Sequence, residues 1–225
     1  MRSLWNHERV GLLRERGGMR SLGFWLMRKT LALDVYTLFA LPLPLSPHLA
    51  GAAPPPGCTL LRLVSEDDLA RCPEDLLEHL GRHTGVGVRK VLAQGGRIYA
   101  LVEDGAVRSQ TRIDIGAART ATPCALTCEV GPRNAFLSFL HTHPASRRGG
   151  WAKKLIAATA SSMAQEGLQL CFAHVQATNL RSVNTFMSMG ARRAGWLLAS
   201  RGGRYLGTPG AHPDLSVMPT VRTVG

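Results

Sequence analysis

Long apolar stretches are missing from this chain of 225 residues. No run reaches the roughly 18 residues that a membrane-spanning helix needs, so a helical membrane span is not expected. Acidic residues are also scarce, 15 against 27 lysines and arginines, which leaves a formal net charge of +12. The excess is not gathered in one tail: residues 1–57 carry +4, residues 58–200 carry +6 and residues 201–225 carry +2. That distribution excludes a discrete nucleic-acid-binding tail, while a general attraction to polyanions and phosphorylated cofactors remains. Cysteines number five, Cys58, Cys72, Cys124, Cys128 and Cys171, an odd count at irregular spacing. Such a set reads as reduced thiols in a cytoplasmic compartment rather than a disulfide framework. Cys124 and Cys128 lack a second Cys or His pair to complete a zinc site, so no metal is expected.

Apolar residues make up 45% of the chain, enough for a sizeable core. The first 57 residues differ from the rest. A basic, glycine-punctuated opening leads to "LALDVYTLFALPLPL", an apolar run broken by Pro42 and Pro44, and then to the linker-like "SPHLAGAAPPPG". Arg28 and Lys29 before that run, and Ala50-Gly51-Ala52 after it, resemble a secretion signal. Asp34 inside the run, the prolines and the long stretch ahead of the charges argue against one. Residues 1–57 therefore read as a basic arm that lays an extended segment on a main domain at 58–207. Residues 208–225, with Pro209, Pro213 and Pro219, read as a disordered tail.

From Cys58 the pattern is regular. "CTLLRLVS" predicts a strand. Ser65 with Asp68 predicts a capped helix, and a second helix opens at Pro73. Two β-type runs flank Asp104-Gly105, a tight-turn pair. "NAFLSFLHTH" predicts a strand, and the apolar spacing from Trp151 to Met163 predicts a helix stopped at Gly167. "LQLCFAHVQA" is a further strand, and a short helix runs from a cap at Asn179 to Gly190. "ARRAGWLLAS" and "GRYLGT" close the series. This order predicts an α/β (α+β) domain with a mixed sheet and a ligand site at strand C-terminal ends.

The stretch "THPASRRGGWAKKLI", Thr142 to Ile156, carries the chemistry. A strand ends at Thr142, Pro144 cannot continue its ladder, and a helix begins near Gly149 or Gly150. Its first amides have no intrahelical partner, and the helix dipole adds positive potential there. Glycines admit a ligand close to the backbone, and Arg147 and Arg148 add charge. An incidental strand-to-helix turn has the same outline, but the combination favours a phosphate or pyrophosphate site.

Arg147-Arg148-Gly149-Gly150-Trp151-Ala152 resembles the (Q/R)-x-x-G-x-(G/A) element of the GNAT superfamily of N-acyltransferases, and "NLRSVNTFMSMGA" resembles its second signature. Asn179, Ser182 and Gly190 fall at the expected offsets, with one helix and one strand between the two elements. The resemblance covers about residues 58–200 and implies a mostly antiparallel, twisted sheet splayed at its fourth and fifth strands. It implies acetyl-CoA as cosubstrate and an unidentified amine as acceptor, joined by direct transfer in a ternary complex. The amides from Arg148 to Ala152, Trp151 included, would hold the pyrophosphate, with Arg147 and Arg148 beside them. Leu140, His141 and Thr142 would pair with the pantetheine arm, the Thr142 amide lying near the thioester carbonyl. Asn179 would approach from the other side of the splay, with Ser182 and Phe186 on the same helix. The resemblance leaves room for a homodimer.

The match thins at the catalytic residues. Phe186 stands where the family has a proton-donating tyrosine, Ala191 replaces an aromatic, and Phe136 stands near an acidic position of some members. His141 is the leading base, since it lies beside the inferred thioester and an imidazole titrates in the right range. Its alternative is to pack on the helix side of the sheet. Glu129 is a second candidate. His143 sits where histidine is common in the family without a catalytic role, and reads as pointing to the opposite side of the strand. His174, in an apolar strand, reads as a core histidine. Acceptor loops are expected at about 66–90 and 192–207. Two other classes stay open: a non-catalytic acyl-CoA-binding module, suggested by Phe186, and a nucleic-acid-associated protein without specific readout, suggested by the charge.

Overall fold

A computed structural model describes residues 23–50, 54 and 56–220 of the chain. The elements predicted from Cys58 onwards are present in the predicted order, and a helix at Val88–Ala93 and a strand at Ser216–Pro219 are added to them. Strand β1 (Leu33–Pro42) precedes β2 (Cys58–Leu63), helices α1 (Glu66–Ala70), α2 (Glu74–Gly81) and α3 (Val88–Ala93), then β3 (Arg97–Glu103) and β4 (Ala106–Thr120). Strand β5 (Leu126–Thr142), helix α4 (Trp151–Gln165), β6 (Leu170–Gln176), α5 (Leu180–Ser188), β7 (Arg192–Ser200), β8 (Tyr205–Gly207) and β9 (Ser216–Pro219) follow.

Local sequence accounts for the element ends. Ser65 and Asp68 form a reciprocal capping box at α1. Asp104 and Gly105 both take positive φ, as the two-residue turn between β3 and β4 requires. Asn179 caps α5 by accepting from the Ser182 amide.

The sheet runs β2-β3-β4-β5-β6-β1-β7-β8, with β9 added on β5. Only β5 and β6 pair in parallel; the other ladders are antiparallel. Counted from Cys58, β5 and β6 are the fourth and fifth strands, where the splay was expected. Alternation along the strands separates two faces. Tyr99, Leu101, Ile113 and Leu137 pack with Leu155 and Ile156 of α4, whereas Ile98 and Ala100 pack with Leu69, Leu80 and Val91 of α1–α3.

Two expectations need correction. The segment assigned to an arm supplies β1, which lies inside the sheet and bonds β6 on one side and β7 on the other. Its near-continuous apolar sequence fits a strand buried on both faces: Phe39 and Leu41 face α4 and α5, while Tyr36 and Leu38 face the other way. The stretch read as a disordered tail contains β9, paired with Leu126–Glu129, and Leu215 and Val217 bury themselves on that second face. Pro209 and Pro213 precede β9 and Pro219 is its last residue, so none falls inside the strand.

Candidate active site

The C-terminal end of β5 is irregular. Arg112 of β4 opposes Ser138, yet Gln110 opposes His141, so β5 carries one extra residue there. Phe139 takes φ +52° at this bulge, uncommon for a bulky residue. Two hydroxyl groups on β4 hold it. Thr111 Oγ1 donates to the Ser138 carbonyl at 2.9 Å, and Ser109 Oγ donates to the His141 carbonyl at 2.9 Å. On the other edge the β5–β6 ladder ends at Leu137 opposite Ala173. From Ser138 to Thr142, β5 has no strand partner on the β6 side among the described residues. The bulge and the splay therefore coincide, and the exposed edge can accept an extended, amide-bearing chain as an added strand.

The elbow follows at once. Pro144–Ser146 make a short 3-10 turn, and α4 starts at Trp151 behind Gly150, which adopts φ +72°. Among the described residues none of the amides from Arg148 to Lys153 donates to a backbone carbonyl, and the first turn of α4 holds no acidic residue. Arg147 and Arg148 are exposed and make no ion pair among the described residues. Free amides, a helix dipole and two arginines without an ion-pair partner thus share one short stretch of chain. Arg148 pays for this loop with a left-handed backbone, φ +75°. The Trp151 ring lies against Gly149 and packs, partly buried, on the core.

Because β5 and β6 are parallel, the starts of α4 and α5 sit at the same edge of the sheet. Leu140, His141, Thr142, Arg147, Arg148, Gly149, Gly150, Trp151 and Ala152 follow one another along that edge, and Asn179 and Ser182 join them at the start of α5. Two predicted residues do not. Glu129 is exposed, pairs with Ala117 and Ser216, and lies toward the other end of β5, about 40 Å from His141 if the strand were straight. Phe186 is 2% exposed and its ring stacks on Phe39, centroids 5.5 Å apart and planes 9° apart. It belongs to the core and presents no surface to a ligand. The incoming β1 supplies the partner that fills this position.

The histidines form a group that the sequence did not reveal. His141 stacks on His83, and His79 lies between His83 and His143, at 6.0 and 5.7 Å between centroids. His141 and His143 therefore face the same way, against α2, rather than opposite ways: residues two apart in a strand share a face. Burial pushes the His141 imidazole below its ordinary value, and His83, Arg147, His143 and His79 push it further. Its Nε2 is shielded from solvent and has no hydrogen-bond partner. Burial likewise lowers His79, with contributions from His143, His83 and Arg82. His174 sits between Tyr36 and Phe136, and burial brings it down to about 4, as befits a core histidine. The one local trace of the group is the four-residue spacing of His79 and His83 at the end of α2.

A family model described as the acetyltransferase (GNAT) family matches residues 74–191, more than half of the chain. A GNAT-family structure from Novosphingobium aromaticivorans DSM 12444 superposes with a TM-score of 0.50 at 19% identity, covering 75% of this chain and 63% of that one. A protein from Staphylococcus epidermidis ATCC 12228 gives 0.49 at 9% identity, over 84% of this chain and 65% of that one. A GCN5-related N-acetyltransferase from Kribbella flavida gives 0.47 at 14% identity, over 87% and 67%. The chain thus spans less than two thirds of the first two. No curated protein matches it.

Proposed function

The chain belongs to the acetyltransferase (GNAT) family, and from that premise we propose that it transfers an acyl group, the acetyl of acetyl-CoA, directly to the nitrogen of an amine. The observation that carries the proposal is the run of free amides from Arg148 to Lys153 placed directly after an unpaired strand edge. These residues fit the cofactor: the amides and the two arginines suit a pyrophosphate, and the edge from Leu140 to Thr142 suits the amide-bearing arm. Bound acetyl-CoA supplies the acyl group as a thioester. The backbone at Leu140–Thr142 orients that group, and an amide there donates toward its carbonyl oxygen, where negative charge develops. His141, neutral at pH 7, accepts the proton that the attacking amine gives up. Phe186 gives no proton, so the thiolate leaves unassisted by this position.

Calorimetric titration of acetyl-CoA into two variants tests the cofactor site. At Gly150 an added Cβ meets nothing within 4 Å but must accept positive φ. Gly150→Ala therefore reports backbone strain alone, and Gly150→Glu adds a negative charge where a phosphate sits. We expect binding to survive in the first and vanish in the second. Equal affinities for the two would remove the proposal.

The burial of Phe186 favours one other reading, an acyl-CoA binder that does not turn over. Release of free CoA thiol with a panel of amines separates the two. Tight binding without any release would favour the binder.

A further inference from the structure

A cavity of about 300 Å³ opens beside the histidine group, between α2, the β3–β4 hairpin and the end of β5. Asp75, Leu76 and His79 line it from α2, Val107 and Arg108 from β4, and His143 from the end of β5. Asp75 and His79 are one helical turn apart and so share a side of α2. His143 points to the same face as His141, two residues back along β5. The cavity therefore lies on the α2 side of the C-terminal end of β5, and its His143 wall follows directly in the chain on the segment Leu140–Thr142 assigned to the acyl group.

Its charge balance is one-sided. Arg108 is paired in charge with Glu103, Nε to Oε2 at 2.9 Å, although its buried Nε makes no aligned hydrogen bond, and nearby Arg82 is paired with Glu78 at 2.5 Å. Asp75 is in no ion pair among the described residues. Among the described residues the one charge on the wall without an ion-pair partner is thus a carboxylate, in the first turn of α2, in a chain whose net charge is +12. His79 Nε2 is buried without a hydrogen-bond partner, a vacancy that an N–H donor would fill. Burial keeps His79 neutral at pH 7, so it does not repel a cation. Leu76 and Val107 supply apolar wall. Among the described residues no trio of His, Cys, Asp or Glu is disposed to hold a metal ion. The volume is at the small end of ligand pockets.

We propose that this cavity is the acceptor pocket, and that it takes a small alkylammonium, with Asp75 as counter-ion and His79 Nε2 as hydrogen-bond acceptor. The word acceptor rests on the acyl-transfer reading above; the binding of the cation does not.

The test uses the full chain without cofactor at pH 7.5, followed through the ring proton resonances of His79 and His143. The probe is n-butylammonium, with n-butyrate and n-butanol as controls. We expect saturable shifts with butylammonium alone. Asp75→Asn should weaken them by about tenfold or more, since a charge-assisted hydrogen bond is lost. Asp75 is exposed, so the variant should keep its fold, checked by circular dichroism. Ala106→Phe, at an exposed lining position, should block the probe without changing any charge. Saturating CoA should leave probe binding intact. Butyrate binding as well as butylammonium, full affinity in Asp75→Asn, or displacement by CoA would each overturn the assignment. Butylammonium binding without acyl transfer to any amine upholds the cation pocket and counts against the reaction. Acyl transfer without butylammonium binding discards the pocket and leaves the reaction standing.

Discussion

The imidazole of His141 lies flat on that of His83, centroids 3.8 Å apart and planes 10° apart. The contact hides one face of His141 and sets a second titratable ring against it, and both effects disfavour its protonated form. A lowered value means that His141 is already a free base at neutral pH. If it takes the amine proton, kcat at saturating acceptor should rise with pH through a midpoint below 6.5 and then level off. His141→Ala should abolish that step and reduce turnover by about 10²-fold, with cofactor affinity little changed. His83→Ala withdraws burial and like charge together, so the midpoint should move up toward 6.5. An unmoved midpoint would detach His83 from the base.

Arg148 offers a contrast between stability and binding. Its φ of +75° costs an L residue roughly 1–2 kcal/mol. Arg148→Gly removes that strain and also a cation at the elbow. Melting should shift upward, while calorimetry should show acetyl-CoA bound several-fold more weakly. Strain retained at a binding loop is the usual sign that the side chain is needed there. Unchanged affinity would mean that the Arg148 side chain does not reach the phosphates.

These features differ in how far the sequence disclosed them. The elbow, the capping box at Ser65, the Asp104-Gly105 turn and the Asn179 cap are local: each depends on residues close to one another in the chain. The place of β1 is not local. Its partners are residues 170–176 and 192–200, more than a hundred positions away, and Pro42, Pro44 and the linker-like stretch that follows make the run read as part of an arm. The same distance hid the fate of Phe186, whose helix and cap were legible while the ring that covers it comes from β1. The histidine group is also a product of packing, since α2 must dock on the end of β5 before His79 and His83 meet His143 and His141.

Phe186→Tyr would restore the proton donor that the family resemblance leads one to expect, yet the structure argues against a gain. The ring is stacked on Phe39 inside the core. A hydroxyl group added there would be buried, at a cost of about 1–3 kcal/mol if it finds no partner. Turnover should not rise and the melting temperature should fall. A several-fold rise in kcat at unchanged stability would return this position to the active site.

Strand β1 should be indispensable. Leu38, Phe39 and Leu41 are each at most 1% exposed, and β1 supplies the ladders that join β6 to β7. Large-to-small substitutions of such side chains cost about 2–5 kcal/mol each, whereas a whole domain is stable by only about 5–15 kcal/mol. Arg28 and Gln176 also meet at Asp34, the first through a 2.8 Å ion pair and the second through a 3.1 Å hydrogen bond. A chain beginning at residue 43 should therefore lack a cooperative melting transition and should not bind CoA. Phe39→Ala, a milder lesion, should fold with a lowered melting temperature and loosen the Phe186 ring. A peptide of residues 23–50 added during refolding should restore part of the CoA binding of the shortened chain, because both edges it must pair are present there. A shortened chain that melts cooperatively and binds CoA at full affinity would make β1 an accessory and move the core boundary back to Cys58.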